Sequence, residues 1–149
     1  MNEVINTCSQ AISLAKELEE QSAKFYENFA KKSAETEDLF LTYAKENGKF
    51  VTQVQRAYYG VISDALEGCF AFNMNPEVYV LDTELTDDTG HGRALAKAAA
   101  IEEKIIDFYT TAAEQSKSLM AAVPRSFTLV AKKRSKRLET LKSLIKKGG

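Results

Sequence analysis

Histidine occurs once, at His91, in a glycine-flanked stretch that reads as a loop or cap position. No Ser-His-Asp, Cys-His or glycine-rich phosphate-loop pattern accompanies it, which leaves nothing to suggest a nucleophilic hydrolase or a P-loop enzyme. Cysteine occurs twice, as Cys8 and Cys69, with no C-x-x-C. That excludes a disulfide framework and a thiolate metal site, so both read as small hydrophobes without a chemical role. No run approaches the roughly 18 uncharged apolar residues of a membrane span. The first twenty residues mix acids, Lys16 and polar groups among the apolar ones, unlike a signal peptide. A soluble, cytoplasmic protein with no membrane partner is expected.

The 149 residues, 44% hydrophobic and 28% charged, fit one compact domain, 1–149, with a sizeable core. Net charge is −1, but its distribution is uneven: residues 131–149 hold eight Lys or Arg against Glu139, +7, which leaves −8 elsewhere. A charge run of this kind is most often a solvated helix face, and the acidic remainder would blunt attraction to nucleic acid, which is not an expected partner. An alternative reading is an anionic partner held by the basic last helix.

Four segments carry apolar residues at steps of three and four, the period of a bundle helix. The stripes are Ile5, Cys8, Ile12, Ala15, Glu19, Ser22, Tyr26 and Phe29; Phe40, Tyr43, Asn47, Phe50, Val54, Ala57 and Val61; Leu95, Ala98, Glu102, Ile105, Tyr109, Ala112 and Leu119; and Phe127, Val130, Arg134, Arg137, Leu141 and Leu144. Each has polar residues near its middle. Residues 31–37 form a short polar connection that makes the first two helices antiparallel neighbours, and 116–124 contains a second break, with Pro124 suited to a first helical turn. Residues 73–93, with Asn75-Pro76 and Gly90-His91-Gly92, are long enough to cross the length of a bundle.

The halves repeat. Residues 11–33 align with 94–116 without a gap, matching Glu19 and Glu20 to Glu102 and Glu103, Phe25 and Tyr26 to Phe108 and Tyr109, and Ala30 to Ala113. A helical hairpin cannot bury its own stripe, so two duplicated hairpins would pair about a pseudo-two-fold axis. With its repeated Glu-Glu-x-x-x-x-Phe-Tyr and the crossover between, the whole chain resembles the rubrerythrin branch of the ferritin-like proteins. That resemblance implies an all-α, antiparallel four-helix bundle: two hairpins joined by a long crossover.

In that family the first and third helices each supply a Glu, the second and fourth each supply Glu-x-x-His, and the six hold two iron or manganese ions. Glu19 and Glu102 match the first kind. At the second kind stand Asn47 and Phe50, then Arg134 and Arg137. Phe50 has no lone pair, Asn47 offers a neutral carbonyl, and the arginines are cations at any relevant pH. The C-terminal C-x-x-C pairs of full rubrerythrins are absent, which puts peroxide reduction by that route in doubt.

Two glutamates facing two arginines sum to zero without metal, so the arginines read as replacements for the ions. Rival readings bend them out to solvent along their stems, or slip the second helix by one residue, which brings Glu46 to the site and leaves Lys49 where His belongs. Tyr26 and Tyr109 are placed to support the carboxylates. The leading expectation is a non-catalytic ferritin-like bundle with no cofactor, a self-associating (dimeric) scaffold with an unknown protein or small-molecule partner. The competing one is an oxidoreductase with an altered iron or manganese site using Glu19, Glu102 and Asn47.

Overall fold

The computed structural model describes residues 4–61, 72–117 and 122–148. Cys69, the stripe position Leu119, part of the 116–124 break and the side chain of Val61 lie outside the description. The described chain is all-helical. Its four long helices are α1 (Cys8–Lys32), α2 (Glu37–Val61), α3 (His91–Gln115) and α4 (Ala122–Gly148), with a short 3₁₀ turn at Pro76–Tyr79. Among the described residues no helix is long and apolar enough to cross a membrane.

Local chemistry sets the boundaries. Thr7 caps α1: its hydroxyl accepts from Gln10 N at 3.2 Å, and the Gln10 side chain accepts from Thr7 N at 3.1 Å. That reciprocal cap stops the helix short of Ile5, expected on the first stripe. Ile5 instead exchanges backbone hydrogen bonds with Met74, at 2.7 and 3.0 Å. Lys31 and Lys32 close α1 and Glu37 and Asp38 open α2, each charge opposing the local helix dipole. Gly90 is the N-cap of α3, so His91 begins that helix rather than sitting in the loop before it.

The helices are neighbours in the cyclic order α1, α2, α4, α3, with the α1–α2 and α3–α4 interfaces the most extensive. The stripes meet in one core that includes Leu18, Phe25, Phe29, Phe40, Ile105, Phe108 and Phe127. On the second stripe Ala57 is half-buried, and the larger Tyr58, four residues after Val54, takes the core-facing place.

Residues 72–90 form a strap along the α1–α3 side. Asn73 N donates to the Gln115 side chain at 2.8 Å, the Tyr79 ring meets Phe108 edge-on at 5.4 Å, Lys104 donates to Val80 O at 2.6 Å, and Lys97 pairs with Asp82 at 2.9 Å. Lys32 of α1 donates to the carbonyl of Thr86. The strap therefore passes beside α3 from its last turn towards its first, while no strap covers α2 and α4 among the described residues. Phe108 joins strap to core, and Phe108→Ala should cost about 3 to 5 kcal/mol in denaturant unfolding, against about 0.5 kcal/mol or less for exposed Glu103→Ala.

Candidate functional site

Half-way along each helix the apolar stripe gives way to polar side chains, and these meet. Glu19 on α1, Glu102 on α3 and Arg134 on α4 are fully buried, with Asn47 and Arg137 almost so. Charges of this kind are removed from water at a cost of several kcal/mol each unless paired and hydrogen-bonded.

The pairing is close to complete. Arg134 forks across both glutamates: Nε and Nη2 donate to the two oxygens of Glu19, at 3.1 and 2.5 Å, and Nη1 donates to Glu102 Oε1 at 2.7 Å. The remaining hydrogen bond to each carboxylate comes from a tyrosine of the opposite half. Tyr109 Oη donates to Glu19 at 2.7 Å, and Tyr26 Oη donates to Glu102 at 2.5 Å. Equivalent residues of the repeat thus exchange hydrogen bonds across the core. Every carboxylate oxygen is engaged.

Asymmetry enters through the second helix of each pair. Phe40 and Phe127, Ala44 and Ala131, and Val54 and Leu141 keep the repeat between α2 and α4, but Asn47 faces Arg134 in the alignment and Phe50 faces Arg137. Both cations come from α4. Asn47 Nδ2 donates to Ser22 Oγ at 2.6 Å and to Glu19 O at 3.0 Å, and its Oδ1 accepts from Arg137 Nη1 at 2.8 Å. Arg137 Nη2 reaches Tyr43 O at 2.8 Å and Glu46 at 3.2 Å, and Nη1 lies 3.6 Å from Glu102. Its guanidinium stands over the rings of Tyr43 and Phe50, at 4.5 and 5.0 Å, a favourable setting for a desolvated cation. The Arg137 Nε has no hydrogen-bond partner.

These positions decide between local alternatives. Neither arginine bends out to water. Asn47 faces the core, whereas the Glu46 side chain remains 43% exposed at the rim, where it pairs with Arg137. Lys49 is exposed, and the His91 ring packs on Phe29 at 5.6 Å, at the end of the bundle. Cys8 is buried in the core. Ser22 and Tyr43 are participants whose roles the sequence concealed: Ser22 lies on the stripe, but the matching position in the other half is Ile105, and the small hydroxyl leaves room for Asn47 and the Arg134 Nη2, 3.1 Å away.

The electrostatics follow from this packing. Burial alone would depress the Arg134 pKa, but Glu102 and Glu19 outweigh it and hold the guanidinium well above its ordinary range. Tyr26 is raised well above the ordinary phenol value by burial and then by Glu102, and Tyr109 by burial and then by Glu19. Among the described residues no group of three or more His, Cys, Asp or Glu side chains gathers as a metal site would need. Comparison of the chain with protein-family models, with curated proteins and with solved structures finds no match in any of the three.

Two measurements probe the cluster. Arg134→Leu strands two carboxylates in a dry core and should cost about 3 to 5 kcal/mol, with part recovered when Glu19→Gln and Glu102→Gln are added; a loss below about 0.5 kcal/mol would show a solvated arginine instead. The tyrosines act at high pH. An unfolded chain releases the phenol protons near pH ~10, whereas the folded one retains them, so their contribution is complete below that pH and declines above it, by about 1.4 kcal/mol per pH unit per tyrosine. Tyr26→Phe with Tyr109→Phe should flatten the alkaline limb of a stability–pH curve.

Proposed function

We propose that this chain is a ferritin-like, rubrerythrin-related antiparallel bundle whose di-metal centre has been replaced by an internal guanidinium, and that it serves as a non-catalytic scaffold or binding protein. The observation that carries this reading is the Arg134 fork. One cation sits between Glu19 and Glu102, the two carboxylates that match the family's first and third helices, and neutralises them as bound ions would. The antiparallel hairpins are supported by the short α1–α2 connection and by the His91 contact with Phe29, which sets the start of α3 beside the end of α1.

The residues do not fit a pair of metal ions. Four of the six positions hold Asn47, Phe50, Arg134 and Arg137, and both remaining carboxylates are saturated by guanidinium and phenol donors. The oxidoreductase reading needs the Asn47 carbonyl aimed with Glu19 and Glu102 at one point. That oxygen instead accepts from Arg137. No step of catalysis through iron or manganese is assigned to this site.

The test has two arms. Protein purified without chelators should carry well under about one iron, manganese or zinc ion per chain, and chelator should leave its melting unchanged. The variant Asn47→Glu, Phe50→His, Arg134→Glu, Arg137→His then supplies Glu-x-x-His from α2 and α4. It should be less stable than the parent without metal and regain stability with about two ferrous or manganous ions per chain. Moving the four changes along by one residue should abolish binding, because one helical position turns a side chain by about 100°. A folded variant that ignores metal, or a shifted one that binds it equally well, would refute the register and the proposed descent of the site.

A further inference from the structure

The charge run of the last helix divides into two populations. Arg134 and Arg137 turn inward and are neutralised, so the surface of α4 keeps Arg125, Lys132, Lys133, Lys136, Lys142, Lys146 and Lys147 against one acid, Glu139. None of these lysines reaches a carboxylate among the described residues; Lys133 alone has a partner, the Phe50 ring of α2 at 5.9 Å. On the neighbouring α2, exposed Lys45, Lys49 and Arg56 are matched in number by Glu37, Asp38 and half-buried Glu46, so α2 adds no net charge. The α2–α4 side therefore owes its positive charge to α4, over most of that helix's length.

The opposite side carries the other sign. The strap holds Glu77, Asp82, Glu84, Asp87 and Asp88, all exposed, and from Asn73 to Gly90 it has no Lys or Arg. Asp82 is paired with Lys97, and the other four acids have no ion pair among the described residues. Lys32 and Lys104, which secure the strap, are directed at its carbonyls rather than its carboxylates.

Exposed apolar residues follow the same division. Val78 and Val80, each more than half exposed, lie on the strap; Tyr59 lies on α2 and Leu129 on α4, while Leu41 of α2 borders α1 near Glu27 and Lys31. None of these large exposed side chains is on α1 or α3. A phosphate polymer would complement the lysines but not exposed Leu129 on the same helix, whereas the strap offers acids and valines together.

We propose that copies of this chain associate strap to face: the acidic strap of one docks on the α2–α4 face of the next. Pairing two identical basic faces would set lysine against lysine, so this face does not form a symmetric two-fold contact with itself. A contact between unlike surfaces repeats, closing into a ring or continuing as an open row. With lysines prominent it should be weak and reversible, with a Kd on the order of 10 to 100 µM. The proposal does not depend on the history of the metal site.

Charge exchange tests it. Sedimentation velocity on the parent should show concentration-dependent association at about 0.1 M salt that is lost at about 1 M, where the Debye length falls to about 3 Å. The strap variant (Glu84→Lys, Asp87→Lys, Asp88→Lys) and the face variant (Lys49→Glu, Lys133→Glu, Lys136→Glu) should each be monomeric with parental helicity. Mixing the two should restore association, because each then meets the opposite charge. A parent that stays monomeric at low salt overturns the proposal, as does association untouched by both variants. Monomeric parent that binds a labelled single-stranded DNA through the same lysines would replace the second copy with a phosphate polymer.

Discussion

A buried guanidinium between two buried carboxylates constrains everything around it. Arg134 must stay within about 3 Å of oxygens on two other helices, since a lapse on either side leaves a charge with neither water nor partner. That requirement fixes the rotation of α1, α3 and α4 about their axes and the level at which they cross. The Tyr26 phenol then takes the Glu102 oxygen that Arg134 leaves open, the Tyr109 phenol shares Glu19 Oε2 with the Arg134 Nε, and Ser22 and Asn47 accept from Arg134 Nη2 and Arg137 Nη1. Hydrophobic burial supplies most of the stability of such a core, but it is tolerant of small rotations. The polar centre is not.

Much of the arrangement was legible in the sequence because a helix has one period and a buried stripe must obey it. Glu19, Asn47, Glu102, Arg134 and Arg137 each fall in step with apolar neighbours, which was enough to place them inward. The alternatives that remained were local ones, whether long side chains bend back to water and whether α2 slips by a residue, and only coordinates resolve those. What the period could not convey is pairing. Nothing in the spacing says that Tyr26 serves Glu102 and Tyr109 serves Glu19, rather than each serving the glutamate on its own helix. Ser22 was hidden because it is unremarkable alone; its purpose depends on two residues more than twenty positions away.

The irregular segments show the same limit from the other side. The crossover was expected from its length alone, but its course depends on three lysines of α1 and α3 that bind its backbone and one carboxylate. Those contacts are invisible in a reading that treats exposed lysines as solvent. The basic last segment was read as a single run for the same reason. Its two arginines belong to the core and its lysines to the surface, so one stretch of sequence serves two unrelated purposes.

Both core cations reside on α4, while the acids they neutralise lie on α1 and α3, earlier in the chain. Ribosomal synthesis delivers these parts in that order, so a nascent chain ending before residue 134 holds two carboxylates aimed at an apolar interior with nothing to offset them. Its first three helices can form and touch, but they cannot close dry. The core is thereby withheld until the last helix emerges, and a product cut short before that helix would be left open, an accessible target for proteolysis rather than a stable fragment.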